Sequence, residues 1–222
     1  VPAPFAANAM IEAIEAGVEV IVCVTERVPQ HDMSRVKTAL AGSKSKLIGP
    51  NSQGILTPGQ CKIGVMPTID AKPGNIGIAS RSASLTSEIL AQCSRAGLGQ
   101  STTVGIGGDT LHGVDFVDCL KEFKDDPETE SVVLIGEIGG REEEDAAEYL
   151  ESVDYGKPVT ALVVGRHAPK GRRMGHAGAI VTSFGESAAE KVEILKAAGV
   201  AISPTPSDMG STVAAVVAKL AA

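Results

Sequence analysis

One histidine lies in a segment that is basic and rich in small residues, within a chain whose net charge is −7. The segment runs Gly-Arg-His-Ala-Pro-Lys-Gly-Arg-Arg-Met-Gly-His-Ala-Gly-Ala from Gly165 to Ala179. Small neighbours leave the His176 ring open, and cations lie nearby, which suits a nucleophile that carries phosphate. A solvated basic loop whose histidine only forms hydrogen bonds is the alternative. The other histidines lack such surroundings and are predicted to be structural or surface residues: His31, His112 and His167.

A single carboxylate follows the most apolar strand-like run of the chain. Glu137 lies in Gly-Glu-Ile-Gly-Gly, directly after Val-Val-Leu-Ile. It could accept the ring N–H of a catalytic histidine and favour its charged form, or it could be a structural carboxylate paired with a base. The acidic run 142–145 suits the first turns of a helix, where negative charge complements the dipole, and is interpreted as a solvated face.

Two other segments could contact a ligand. Ser82, Ala83 and Ser84 open a predicted helix. Hydroxyls at that position can cap free backbone N–H groups, and the same N–H groups can bind an anion. In Gly-Ile-Gly-Gly-Asp, glycines allow close backbone approach, and Asp109 is either a ligand contact or a turn former.

The hydrophobic pattern alternates between short β-branched runs and helical periods. Such alternation predicts an α/β fold with a parallel, doubly wound sheet, in which ligands bind at the carboxyl ends of the strands. The segments named above follow predicted strands, so we expect them to meet at one edge. The predicted helices are 6–16, 32–40, 84–96, 114–123, 142–152, 187–198 and 207–220. The predicted strands are 18–24, 46–48, 75–80, 101–106, 132–137, 158–164 and 200–203.

A loop-rich stretch at 49–73, with several prolines and glycines, predicts a junction between two α/β units. We place the domains at 1–60 and 72–222. The first unit has only two predicted strands and two helices, fewer than a doubly wound domain usually needs. We therefore expect a partial Rossmann-like domain, in a chain that is incomplete at its N-terminus, followed by a flavodoxin-like domain.

Composition excludes several functions. Net charge −7 argues against broad binding to nucleic acid or to an anionic membrane. The apolar runs are all shorter than the roughly 20 residues of a membrane span. The four cysteines form no CxxC pair and have no metal-ligand spacing with histidine, so we expect no metal site and a reducing compartment.

Five motifs occur in an order that resembles a known family. They are Gly49-Pro50-Asn51, Ser80-Arg81-Ser82, Gly105-Ile106-Gly107-Gly108-Asp109, Gly136-Glu137-Ile138-Gly139-Gly140 and Gly175-His176-Ala177-Gly178-Ala179. Together they look like the α subunit of succinyl-CoA synthetase (succinate–CoA ligase) and its close relatives. The resemblance covers essentially the whole chain.

The resemblance implies roles for individual residues. His176 would be the phosphorylated nucleophile, and Glu137 would orient and stabilise it. Ser82, Ala83 and Ser84 would open the helix that binds the phosphoryl group. Val24, Thr25 and Glu26 would match CoA contacts of a partial CoA-binding domain, which precedes a ligase domain.

The resemblance also implies substrates and a partner. CoA and a small carboxylic acid would be substrates. ATP or GTP with Mg²⁺ would bind to a β subunit with an ATP-grasp domain, in a heterodimer or heterotetramer. The implied compartment is the cytoplasm, with the mitochondrial matrix as the alternative.

Three departures keep alternatives open. The family's glycine-rich CoA loop and early lysine are not in this sequence, Ala83 replaces a usual glycine, and Ser87 stands where tyrosine is common near the acid. The acid could be succinate, malate or citrate. A noncatalytic CoA-binding module and a stand-alone phosphohistidine transferase are the other hypotheses. Glu137, the basic segment and His176 together favour a ligase, and the lack of a visible nucleotide loop argues against a stand-alone enzyme.

Overall fold

The computed structural model describes residues 1–220 and begins with a small parallel α/β unit. Two helices alternate with two strands, which pair in register from Val20↔Lys46 to Val22↔Ile48. Ile21 and Leu47 lie on the same face of this pair and pack in a common core with buried side chains of both helices. The elements are α1 (Ala3–Glu15), β1 (Val20–Val22), α2 (Gln30–Ala41) and β2 (Lys46–Ile48).

The stretch predicted as a loop at 49–73 contains an antiparallel hairpin, so that prediction was wrong at its centre. The strands are β3 (Gly54–Thr57) and β4 (Cys61–Gly64), joined by a turn at Gly59 with φ +79°. Proline and glycine were interpreted only as loop formers, although here they shape the turns around two short strands.

The second unit is built on five parallel strands. They are β5 (Pro73–Ser80), β6 (Gln100–Gly105), β7 (Ser131–Glu137), β8 (Val159–Val164) and β9 (Ala201–Ile202). The helices are α3 (Ala83–Arg95), α4 (Phe116–Asp125), α5 (Glu142–Ser152), α6 (Ala188–Ala197) and α7 (Met209–Ala218), the last preceded by a 3₁₀ turn at Pro206–Asp208.

The sheet order is β4-β3-β6-β5-β7-β8-β9, and β3 joins it antiparallel to β6. Counted within the second unit, the parallel strands follow the order 2-1-3-4-5 of flavodoxin-like folds. The predicted α/β class and doubly wound parallel sheet are therefore confirmed. β3 lies inside the range 1–60 assigned to the first domain but pairs with the second sheet; the boundary itself stays a prediction.

Each face of the large sheet has its own core. Alternate residues of β7 point to opposite sides: Leu134 packs with α4, α5 and α6, whereas Ile135 packs with α3 and α7. All seven residues of β7 are buried, as a central strand covered on both faces requires. The carboxyl end of β7, which carries Glu137, is consequently held from both sides.

Replacement of a buried isoleucine tests this core. Ile78→Ala on β5 removes a side chain that is 0% exposed. We expect it to lower the free energy of unfolding by about 2–5 kcal/mol, measured by urea denaturation, because the lost methyl groups leave a cavity. Ile69→Ala, at a site 90% exposed, is the matched control and should change stability little. Equal effects of the two changes would contradict the assigned core.

Candidate active site

The strands of the second sheet bring their carboxyl ends to one edge. Arg81 follows β5, Asp109 lies in the loop after β6, and Glu137 ends β7. The loop after β8 carries His176 to the same place, against Gly108. Because β5 lies between β6 and β7, this edge includes the position where the strand order reverses and where open α/β sheets bind ligands.

His176 and Glu137 form a direct hydrogen bond. His176 Nδ1 lies 2.7 Å from Glu137 Oε2. The carboxylate accepts, so the ring proton belongs on Nδ1 and the Nε2 lone pair is left for chemistry. The imidazole is 30% exposed and the carboxylate 9%, so the ring is reachable while its partner is enclosed.

Glu137 also controls the charge of the imidazole. Its hydrogen bond is the main reason that the pKa of His176 is raised above its ordinary value; burial of the ring and the nearby Arg81 cation oppose this, while the charges of Glu137 and Asp109 support it. Proximity to a carboxylate stabilises positive charge on the ring. The same contact would stabilise the charge that develops when Nε2 forms a bond to an electrophile.

The backbone around Glu137 is fixed by a buried ion pair. Glu143 Oε1 accepts from Glu137 N at 2.9 Å, and Lys191 Nζ donates to Glu137 O at 3.0 Å. Lys191 and Glu143 also pair with each other, at side-chain exposures of 0% and 2%. The backbone N–H and C=O of Glu137 are therefore both anchored by charged side chains.

The prediction of a solvated acidic face on α5 was wrong for two of its residues. Glu143 and Glu144 are buried, whereas Asp145 is exposed. The helix starts shortly after the carboxyl end of β7. There Lys191 of α6 supplies the counter-charge to Glu143, and Arg141 supplies that to Glu144. Sequence spacing within α5 did not reveal these partners.

The start of α3 contains an ordinary helix cap. Ser82 is the N-cap residue, and its Oγ accepts from Leu85 N at 3.3 Å. Ala83 and Ser84 are exposed at the first turn, and Ser87 Oγ donates to Ala83 O at 3.4 Å within the helix. The capping alternative is therefore seen, and phosphate binding by this helix start stays a prediction.

A cleft of about 480 Å³ separates the first unit from the histidine loop. Glu26 and Asn51 line one side, and Arg173 and His176 line the other. Of the three residues assigned to CoA contacts, Glu26 reaches this cleft, Val24 is exposed outside it, and Thr25 Oγ1 donates to Val1 O at 2.6 Å. Ser87 does not line the cleft.

Asp109 is a buried carboxylate in the wall of the cleft. Asn51 Nδ2 donates to its Oδ1 at 3.2 Å, which links the two units. Burial raises the pKa of Asp109, and the Asn51 hydrogen bond and the His176 charge oppose that shift. Asp109 and His176 line the same cleft, and a role of Asp109 as a ligand contact stays a prediction.

Sequence analysis missed Arg81 as a functional residue. The Arg81 side chain is 8% exposed, and Nε donates to Glu137 Oε1 at 3.1 Å. An arginine directly after a strand at the ligand edge was the available signal, but its partner is 56 residues away. Among the other histidines, His112 is buried, whereas His31 and His167 are exposed.

Within residues 1–220, no cluster of three or more His, Cys, Asp or Glu side chains could hold a metal ion, and no helix is long and apolar enough to cross a membrane. All four cysteines are free thiols; Cys61 is exposed and the other three are buried.

Removal of the Glu137 charge should change the titration of His176. In Glu137→Gln the carboxylate is lost, so we expect the pKa of His176 to fall, measured by NMR titration of the ring. Glu148→Gln, at an exposed carboxylate of α5, is the control and should leave that pKa in place. An unchanged His176 pKa in Glu137→Gln would contradict the assigned cause.

Gly108 lies so close to the imidazole of His176 that a side chain there tests the position of the ring. A Cβ at Gly108 would lie 2.5 Å from ring atoms of His176, so Gly108→Ala must displace the ring. We expect the pKa of His176 to fall in this variant as well, because the ring moves away from Glu137. Gly42→Ala, where a Cβ meets nothing within 4 Å, is the control. A native pKa in Gly108→Ala would show that the ring lies elsewhere.

Comparisons with known proteins identify the family. The sequence profile of the CoA-ligase family matches residues 79–201. Succinate–CoA ligase [ADP-forming] subunit alpha from Staphylococcus aureus (strain N315) is 48% identical over 212 residues, which is 96% of this chain and 70% of the relative. The protein of the same name from Staphylococcus epidermidis (strain ATCC 12228) shows the same values.

Solved structures share the fold. ATP citrate lyase from Methanothrix soehngenii, in complex with citrate and coenzyme A, aligns with a TM-score of 0.93 at 26% identity, over 100% of this chain and 38% of that chain. The dinucleotide-forming acetyl-coenzyme A synthetase 1 of Ca. Korarchaeum cryptofilum aligns with a TM-score of 0.75 at 20% identity, over 95% of this chain and 45% of that chain, which shows the fold alone. On the profile match and the identity to the staphylococcal proteins, the chain belongs to the CoA-ligase family, among the succinate–CoA ligase alpha subunits.

Proposed function

We propose that this chain supplies the phosphohistidine part of an acid–CoA ligase that forms succinyl-CoA from succinate, CoA and ATP or GTP. The observation that carries the proposal is the hydrogen bond of 2.7 Å between His176 Nδ1 and Glu137. With the proton on Nδ1, the Nε2 lone pair is free to react at the ligand edge of the sheet. The names of the staphylococcal relatives support succinate and CoA as the substrates.

In the first step, Nε2 of His176 attacks the terminal phosphorus of the nucleotide. The N–P bond forms, the bond from phosphorus to the bridging oxygen breaks, and the nucleoside diphosphate leaves with the electron pair. The ring becomes positively charged as the bond forms. Glu137, nine-tenths buried and hydrogen-bonded to Nδ1, stabilises this charge more strongly than a solvated carboxylate could.

In the second step, a carboxylate oxygen of succinate attacks the phosphorus of phosphohistidine, and the N–P bond breaks to regenerate the imidazole. The sulfur of CoA, as the thiolate formed when the thiol loses its proton to solvent, then attacks the carbonyl carbon of the acyl phosphate. The C–S bond forms, the C–O bond to the phosphoryl group breaks, and phosphate leaves with the electron pair. The cleft of about 480 Å³ beside His176 offers space for the thiol arm, with Glu26 on its far side. Val24 and Thr25 are proposed as further CoA contacts.

The start of α3 is the proposed phosphoryl site. Exposed Ala83 and Ser84 present first-turn N–H groups, and Ser82 caps the helix. Helix N-termini attract anions through these groups and the dipole. The Arg81 cation immediately precedes them, and it is already bonded to Glu137.

A partner must supply the nucleotide. The word alpha in the names of the relatives supports a second subunit, and we propose a β subunit with an ATP-grasp domain that holds the nucleotide and Mg²⁺. The proposed assembly is a heterodimer or heterotetramer. The bacterial origin of the relatives supports the cytoplasm as its location, with the mitochondrial matrix as the alternative.

Citrate is a second candidate acid. The fold match at a TM-score of 0.93 is to an ATP citrate lyase in complex with citrate and coenzyme A. Ser87, proposed to lie near the acid, is smaller than the tyrosine common in the family and would leave room for a larger substrate. Malate is a further candidate acid, because the small Ser87 side chain would leave room for it as well.

Labelling of His176 tests the proposal. The chain is incubated with a succinate–CoA ligase β subunit, Mg²⁺ and γ-labelled ATP or GTP, and acid-labile, alkali-stable phosphate is measured. We expect label on the native chain and none on His176→Asn, while His31→Asn, at an exposed histidine of α2, is labelled normally.

Discharge of the label then identifies the acid. Succinate with CoA should remove the label and yield succinyl-CoA. If citrate or malate removes the label and succinate does not, that acid is the substrate instead. Equal labelling of His176→Asn would refute the nucleophile. A chain that binds CoA but takes no label would be the noncatalytic module instead.

A further inference from the structure

His112 is a buried histidine that the proposed mechanism does not use. We propose that His112 is a positioning residue: acting through Arg81, it fixes the Glu137 carboxylate and thereby keeps the proton of His176 on Nδ1. This inference rests on the proposed role of His176, but it concerns a tautomer that can be observed without turnover. It is carried by four successive hydrogen bonds, which lead from Val114 through buried His112, Arg81 and Glu137 to the partly exposed His176.

The tautomer of His112 follows from its surroundings. Its Nδ1 lies 3.0 Å from the backbone oxygen of Val114, an atom that can only accept. The ring proton therefore belongs on Nδ1, and Nε2 presents a lone pair. Arg81 Nη1 lies 3.0 Å from that Nε2 and donates to it.

Arg81 links His112 to the carboxylate of Glu137. Nη1 donates to His112 and also pairs with Glu142 Oε1, Nη2 donates to the backbone oxygen of Asp109 at 3.3 Å, and Nε donates to Glu137 Oε1 at 3.1 Å. Since a guanidinium is planar and rigid, holding its two terminal nitrogens sets the direction of Nε–H. His112 and Glu142 on Nη1 and the Asp109 carbonyl on Nη2 thus aim Arg81 at Glu137.

The two oxygens of Glu137 have separate partners. Oε1 accepts from Arg81, and Oε2 accepts from His176 Nδ1 at 2.7 Å. A planar carboxylate that is held at Oε1 has Oε2 in a fixed position. The series His112–Arg81–Glu137–His176 therefore ends with the His176 proton on Nδ1 and the lone pair on Nε2.

His112 is suited to this role because it stays neutral. Burial and the Arg81 cation, followed by the charge of Lys37, lower the pKa of His112 to about 4; the bond to Val114 and the charge of Asp115 oppose them. Glu142 Oε1 lies 2.6 Å from Nε2. Because neutral Nε2 and a carboxylate can only accept, this contact is not a hydrogen bond between the two, and Arg81, which pairs with both, is their donor. A doubly protonated ring would donate to Glu142, and Arg81 would lose its acceptor.

The experiment reads the His176 ring by ¹⁵N NMR of the chain alone, at a pH above the raised pKa of His176, where the ring is neutral and has one proton to place. In His112→Leu, Arg81 loses one acceptor, so we expect the ratio of the Nε2–H to the Nδ1–H tautomer of His176 to rise about fivefold, as for the loss of one hydrogen bond. His112→Gln retains a side-chain carbonyl that can accept, and it should restore the native ratio. His31→Leu is the matched control.

Far-ultraviolet circular dichroism shows whether His112→Leu folds. If it does not fold, a second variant tests the proposal. Arg81→Lys keeps the charge but lacks the planar fork, and it should raise the same ratio. A folded His112→Leu with the native tautomer ratio, or a native ratio in folded Arg81→Lys, would overturn the proposal. The tautomer ratio can be measured even if phosphate labelling in the complex fails. The positioning role of His112 and the phosphohistidine function can therefore be refuted independently.

Discussion

The hydrogen bond between Glu137 and His176 Nδ1 is the interaction on which the site depends. It decides which ring nitrogen carries the proton, raises the pKa of the imidazole and leaves Nε2 for chemistry. The contact requires that the end of β7 and the loop after β8 meet, although 39 residues separate them. The parallel sheet achieves this because adjacent strands end at the same edge.

Several charged groups are buried around this bond, and each has an opposite partner. Arg81 faces Glu137 and Glu142, and Lys191 faces Glu143. Removal of such charges from water costs several kcal/mol per ion, which their pairing and hydrogen bonds offset. Such groups contribute little net stability, but they allow few alternative arrangements. Glu137 is therefore held by Arg81, which follows β5 and binds the carboxylate, and by Glu143 of α5 and Lys191 of α6, which bind its backbone.

Small residues make the close approach possible. Gly108 lies against the His176 ring, and Gly139, at φ +86°, lies against the backbone of the histidine loop. Any side chain at either position would displace that loop. The first unit contributes the opposite wall of the cleft, and Asn51 joins it to Asp109. The site thus combines a rigid carboxylate, an accessible imidazole and a cleft between two α/β units.

The sequence by itself determined the order and type of the elements, the parallel doubly wound sheet, and the segments at its ligand edge, because hydrophobic periodicity and glycine placement are local signals. It also singled out His176 and Glu137, whose chemical types and neighbours are unusual. The hairpin β3–β4, the burial of Glu143 and Glu144, and the contacts of Arg81 and His112 were decided only by the tertiary structure. Each depends on a partner distant in sequence, and whether a charge is solvated or buried is set by that partner and by the packing around it.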